Sequence, residues 1–150
     1  MTDPISISFE VQCSPEQAFR LWTSGISTWW PSDHTCSGEA DLEIVMQGQV
    51  GGRIYERTKG GVEHDWGEVT VWDPPDQLAY RWHLRQDRAD ATDVAIRFDP
   101  HGASGTRVRI EHGGWERLGS PGQERQAQNR SGWESLLPHF RAVADEEGAV

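Results

Sequence analysis

A chain of 150 residues and 16.9 kDa has the length of one domain with its own hydrophobic core, and residues 1–150 are read as a single unit. The net charge is -10, the pI is near 4.9 and the fourteen basic residues are scattered, which argues against nucleic acid or an anionic membrane as a partner. Cys13 and Cys36 lack CxxC spacing, MTDPISISF has no basic start or long apolar run, and no stretch approaches the ~18 apolar residues of a membrane span, so a cytoplasmic location is expected.

Strict alternation opens the chain. Ile5, Ile7, Phe9, Val11 and Cys13 share one face and Ser6, Ser8, Glu10 and Gln12 the other, which predicts a half-buried strand. Ser14-Pro15-Glu16-Gln17 then supplies an N-cap serine, a proline at the first helical position and a glutamine able to close a capping box. Ala18, Leu21 and Trp22, with Phe19 alongside, form the apolar stripe of this helix, which ends at Gly25. A second short helix through Ile26, Trp29 and Trp30 stops at Pro31. The polar stretch Ser32 to Ala40 reads as irregular, after which Leu42, Ile44 and Met46 alternate with Asp41 and Glu43 as a second strand.

From Val50 to Trp82 the turns of a three-strand meander are written into the chain. Gly51-Gly52 opens its first strand, Gly60-Gly61 precedes the second, and Asp73-Pro74-Pro75-Asp76 precedes the third. Its large rings are Tyr55, Trp66, Trp72, Tyr80 and Trp82. RQDRADA, Arg85 to Ala91, reads as a solvated loop; Val94, Ile96 and Phe98 alternate as a sixth strand, and Val108 and Ile110 mark a seventh after the Asp99-Pro100-His101-Gly102 turn. Ser120-Pro121-Gly122-Gln123 then leads into an amphipathic run at Trp133, Leu136, Leu137, Phe140, Val143 and Ala144, a long C-terminal helix. Pro138 inside it removes a backbone bond at a cost of about 3 kcal/mol, which predicts a kink near Glu134 or a helix that becomes regular only just before Pro138.

Strand, two short helices, six strands and one long helix make an α+β fold. With one long helix available to cover the sheet, the strands should curl around it and leave a cavity between. That order, with VGGRIYERT at Val50 to Thr58, WGEVTVWDPPDQLAYRW at Trp66 to Trp82, GTRVRIEHGGWE at Gly105 to Glu116 and GWESLLPHF at Gly132 to Phe140, resembles the activator of heat-shock protein 90 ATPase homologue-like (AHSA1-like) family. This family belongs to the START-like, SRPBCC or Bet v 1-like helix-grip superfamily, and the resemblance runs from Ile5 to about Ala144. It implies a seven-stranded antiparallel curved sheet gripping the C-terminal helix, with a pocket between them. It does not imply an activity: members that look like this are mostly small bacterial proteins without an assigned ligand. The eukaryotic namesake adds an N-terminal domain that helps engage the chaperone, and this chain lacks it, so chaperone activation is not expected.

Strand parity sorts the inside from the outside. Leu78, Tyr80, Trp82 and Leu84 share the inner face, with Ala79, Arg81 and His83 opposite; Gly67, Val69, Val71, Val94, Ile96, Phe98, Val108 and Ile110 also face in. Asp65 and His112 fall on inward parity near strand ends. Either Ile54 and Glu56, or Arg53, Tyr55 and Arg57, face in; the first is favoured, because burying two unpaired arginines costs more than burying one carboxylate. Trp22 and Trp72 are assigned to packing, with Trp72 turned away from the pocket, while Trp29, Trp66 and Trp115 are left open.

The expected function is binding of a small apolar or amphipathic molecule, without a cofactor, by Trp30, Ile54, Glu56, Val69, Tyr80, Trp82, Ile96, His112 and Trp133. The enzyme rival is a polyketide cyclase, dehydratase or hydrolase in which Glu56, Asp65 and His112 do acid/base work. A third reading is a co-chaperone-like interaction protein, marked by an exposed apolar patch. A homodimer is compatible with all three, since Trp115 and the loop after it are expected near the surface. His34 and Cys36 form an H-x-C pair that could recruit His64 or Asp65 for zinc, but no second close pair exists and no metal is expected. Walker, G-x-G-x-x-G and G-x-S-x-G motifs are absent.

Overall fold

The computed structural model describes residues 2–148. The strands are β1 (Ile5–Val11), β2 (Glu43–Met46), β3 (Arg53–Arg57), β4 (Glu63–Asp73), β5 (Gln77–Trp82), β6 (Thr92–His101) and β7 (Gly105–Gly113), and the helices are α1 (Pro15–Trp22) and α2 (Gly122–Gly148). All seven strands form one antiparallel sheet in the order β1-β7-β6-β5-β4-β3-β2. Both helices contribute to the core on its inner face, where Ile7, Ile110, Ile96 and Leu78 stand in one cross-strand row. The alternation read from the sequence is the cause: side chains alternate along β1, β6 and β7, and the face that carries Ile5, Val11, Val94, Ile96, Phe98, Val108 and Ile110, with Thr92, Thr106 and His112 among them, is the one covered.

Helix α1 starts as its sequence dictates. The Gln17 amide donates to Ser14 Oγ at 3.2 Å and the Ser14 amide donates to Gln17 Oε1 at 3.0 Å, closing the capping box. Ala18, Phe19 and Trp22 are its buried face. The second short helix is reduced to a 3-10 turn at Ile26–Thr28, followed by another at Ser32–His34, because Gly25 and Pro31 leave too few residues for an α-helical nucleus. Helix α2 continues through Pro138 for 27 residues, so the expected late start is not observed. Pro138 is exposed, and Trp133, Leu136, Leu137, Phe140 and Ala144 anchor the helix on both sides of it. Only the carbonyl of Glu134 loses its usual donor.

Strand β4 departs from simple parity twice. Ile54 pairs with Gly67 but Tyr55 with Asp65, and Val69 pairs with Tyr80 but Val71 with Ala79, so Trp66 and Thr70 are extra residues in two bulges. Each bulge flips the side-chain direction beyond it. Asp65, expected inside, therefore lies on the outer face against Arg53 at 2.7 Å. Val71 shares the outer face with Ala79, and Trp72, expected to turn away, turns in against Phe19 with ring centroids 5.1 Å apart. Gly67 sits within the first bulge, where a Cβ would overlap the Arg81 carbonyl oxygen.

Trp115 is also placed differently from the expectation. Gly114, at a φ of 93°, folds the chain back after β7, so that Trp115 is fully buried and its Nε1 donates to the His112 carbonyl at 3.0 Å. It is therefore not a surface anchor for a dimer.

Candidate functional site

Tryptophan rings fill the space where the sheet and α2 meet. Trp22 lies 5.1 Å from Trp29 and 6.1 Å from Trp133; Trp29 continues to Trp30 at 5.4 Å, and Trp30 to Trp66 at 5.2 Å and Trp82 at 5.8 Å. Tilted and stacked contacts at these spacings are attractive beyond their area. Ile54, Val69, Tyr80 and Ile96, four of the residues expected to touch a ligand, are closed into this core at 0–2 % exposure.

One opening into this packed interior lies at one end of the grip. A small cavity of about 70 Å³ is bordered by Trp30, His34, Trp82, Leu84, Asn129, Gly132, Trp133 and Leu136. It adjoins a cleft of about 170 Å³ that shares Trp82, Leu84, Asn129 and Gly132 and adds His83, Arg85, Gln86, Thr92, Arg125 and Gln128. Of the residues expected to touch a ligand, Trp30, Trp82 and Trp133 border this opening; His34, Arg85, Asn129 and Gly132 line it or the adjoining cleft without having been named as ligand contacts. Gly132 carried a signal, since a glycine inside a helical pattern often marks space kept free, and a Cβ at this position would meet no atom within 4 Å. Arg85 carried none, because its contacts are to backbone far along the chain.

Arg85 closes one side of the cleft. Its φ of 63° is left-handed, a strained choice for a non-glycine residue, and its guanidinium donates to the carbonyls of Thr35 at 2.8 Å and Asp33 at 2.6 Å. His34 stands beside it, with Nε2 3.3 Å from Ser135 Oγ on α2. Burial lowers the His34 pKa below the ordinary histidine value, with Arg85 acting in the same direction and Asp33 opposing. The ring is therefore neutral near pH 7 and able to accept a proton at the cleft mouth.

His112 does face inward, as parity requires, but its ring is fully engaged. Trp133 Nε1 donates to Nδ1 at 3.0 Å, which makes Nδ1 the acceptor and places the ring proton on Nε2; that proton is directed at Thr92 Oγ1, 2.7 Å away. The Thr92 hydroxyl is then free to donate to the Trp82 carbonyl at 3.4 Å. Burial pushes the His112 pKa down to about 3, with Arg125 adding to the effect, so the ring is neutral and its lone pair is occupied. This is a polar pin between sheet and helix.

Glu56 is likewise inward and likewise saturated. Its carboxylate accepts from the Cys36 amide at 2.6 Å, the Ser37 amide at 2.9 Å and Trp66 Nε1 at 2.8 Å. Burial by itself would raise its pKa, but the donors from Cys36, Ser37 and Trp66 outweigh that and hold it below the ordinary carboxylate value. The three acid/base candidates therefore do not converge: Glu56 ties down a loop, His112 pins the helix, and Asp65 is outside. Burial raises both cysteine thiols, so neither is a thiolate at neutral pH. Among the described residues no group of three His, Cys, Asp or Glu side chains is arranged to hold a metal ion.

The model of the family described as Activator of Hsp90 ATPase homolog 1-like protein matches residues 12–145. No curated protein matches the chain significantly. Among solved structures, the self-sacrificing resistance protein CalC from Micromonospora echinospora is 29 % identical with a TM-score of 0.74, over 98 % of this chain and 97 % of that one. Txn09, described as an anthrahydroquino-γ-pyrone synthase, is 31 % identical with a TM-score of 0.65, over 94 % and 96 %. The Aha1 dimer from Colwellia psychrerythraea, at 20 % identity and a TM-score of 0.68 over 95 % and 96 %, shares the fold. With a family match over most of its length and the seven-stranded sheet curled against α2, the chain belongs to the Activator of Hsp90 ATPase homolog 1-like family of helix-grip proteins.

Proposed function

We propose that the protein binds a planar, largely apolar small molecule of the fused-ring aromatic class in the cleft between the loop after β5 and helix α2. The observation that carries this reading is the bare backbone of Gly132 on the cleft wall, facing an opening walled by Trp30, Trp82 and Trp133. Flat rings are matched by flat rings, and a rim of Arg85, Arg125, Gln128 and Asn129 can orient hydroxyl or carbonyl groups at the ligand's edge. The similarity to Txn09, described as an anthrahydroquino-γ-pyrone synthase, supports this choice of ligand. Ligand pockets usually measure roughly 300–1,000 Å³, so the cleft must widen on binding, and the Arg85 loop is the segment placed to move.

Gly132→Leu tests the reading. A Cβ there meets no atom within 4 Å and borders the opening, so a leucine should fill it, and quenching of tryptophan fluorescence by a tricyclic anthraquinone should be lost while the melting temperature is kept. Equal binding by both proteins sinks the proposal.

Catalysis on the same molecule is the second reading, favoured by the neutral His34 ring at the cleft mouth. It requires turnover that His34→Gln removes while binding persists. The chaperone reading has less support, since among the described residues the exposed large apolar ones are Val50 and Val62, which sit in separate turns.

A further inference from the structure

The two edges of the sheet are unlike. Strand β2 is a short edge of four residues, whereas β1, ISISFEV, presents seven residues with no lysine, proline or bulge to discourage pairing. The amide of Gln12 turns away from β7 to reach Asp145 Oδ1 at 2.8 Å. Ser6, Ser8 and Glu10 share its parity, so their amide and carbonyl groups face the free edge.

Helix α2 runs beside this edge in the same direction. Gln126 Nε2 donates to the Asp3 carbonyl at 3.0 Å, the Arg141 guanidinium lies 5.4 Å from the centre of the Phe9 ring, and Asp145 meets Gln12. Strand and helix are therefore level along their lengths, with Ser8 opposite Leu137 and Pro138. Between them lies a groove of about 530 Å³ bordered by Ile7, Phe9, Leu137 and Pro138, with Glu134 at one end and Arg141 at the other. Among the described residues neither Glu134 nor Arg141 belongs to an ion pair within the chain.

We infer that this edge is a self-complementary surface that binds a second copy of the chain. A two-fold axis perpendicular to the sheet at Ser8 brings β1 against its copy in antiparallel pairing, Ser8 to Ser8 and Ser6 to Glu10. The same axis passes between Glu134 and Arg141, so each glutamate of one protomer meets the arginine of its partner, with Leu137 and Pro138 at the centre. One operation thus satisfies the backbone edge, the half-buried Ile7 and Phe9, and both charges. The two sheets become continuous, and the carbonyl of Glu134, deprived of its helical donor by Pro138, gains a guanidinium nearby.

Sedimentation over a range of concentrations tests this directly. The unmodified protein should form a dimer; Ser8→Pro, which removes an amide aimed at the free edge and leaves the pairing with β7 intact, should be monomeric. Glu134→Arg should weaken the dimer at least about tenfold by setting arginine against arginine. Adding Arg141→Glu to it restores opposite charges and should restore the dimer. A protein monomeric at every concentration overturns the inference, as does a double variant that stays as weak as the single one. Should Ser8→Pro fail to fold, the charge-reversal pair carries the test alone.

Discussion

Trp133 Nε1 lies 3.0 Å from His112 Nδ1, and that contact ties the middle of the C-terminal helix to the last strand of the sheet. Because the indole can only donate, the imidazole must accept, and protonating His112 would set two donors against each other. The pKa of His112, near 3 when folded, lies below its ordinary value of 6.5, so the unfolded chain takes up a proton that the folded chain refuses. This stabilisation is whole above about pH 6.5 and is lost as pH falls toward 3, at up to about 1.4 kcal/mol per pH unit. Melting temperatures between pH 7 and 4 should fall, and His112→Gln should show a shallower fall. An unchanged slope in the variant would contradict the assignment.

Glu56→Gln should cost about 2–3 kcal/mol, because an amide cannot offer two acceptor oxygens to the donors of Cys36, Ser37 and Trp66. Faster hydrogen exchange at the Cys36 and Ser37 amides would localise the damage. The native carboxylate adds its own acid limb: its folded pKa is lowered from 4.5, so its contribution is present above that value and lost below it.

Gly67→Ala should destabilise by at least about 2 kcal/mol, since the new methyl would overlap the Arg81 carbonyl within the first bulge of β4. Chemical denaturation reads the cost. A neutral result would mean that the bulge can shift along the strand.

Gly132→Ala should have the opposite sign. The helix is continuous there and the added methyl meets nothing within 4 Å, so replacing glycine should stabilise by about 0.5–1 kcal/mol. A loss of stability would show that the cleft wall is tighter than its geometry indicates.

Trp82 and Trp133 should separate binding from folding. Trp82 is half-buried at the cleft and donates no hydrogen bond to the His112 network, whereas Trp133 holds His112. Isothermal titration and melting curves together should show Trp82→Ala losing mainly affinity and Trp133→Ala losing both.

The fold was legible wherever one residue in two is apolar. Strands β1, β5, β6 and β7 keep regular register, so Tyr80, Ile96 and His112 point inward as alternation requires. Strand β4 defeats the same rule, because its bulges at Trp66 and Thr70 depend on how β3 and β5 pair with it. That is why Asp65 and Trp72 were assigned to the wrong sides. The candidate site was legible only in its rings. The saturation of Glu56 and His112 comes from partners 10 to 21 residues away in the chain, and no local pattern encodes such partners.

The segment from Asp33 to Ser37 has no regular secondary structure beyond one short turn, yet four of its main-chain atoms are clamped. The Asp33 and Thr35 carbonyls are held by Arg85, and the Cys36 and Ser37 amides by the buried Glu56. The two halves of this clamp differ in durability, since Glu56 is fully buried whereas the bond from Arg85 to Asp33 is exposed to water. Admission of a guest should therefore proceed by releasing Arg85 alone. On the proposed function, the irregular loop is the fixed doorpost and the Arg85 loop the part that would swing against it.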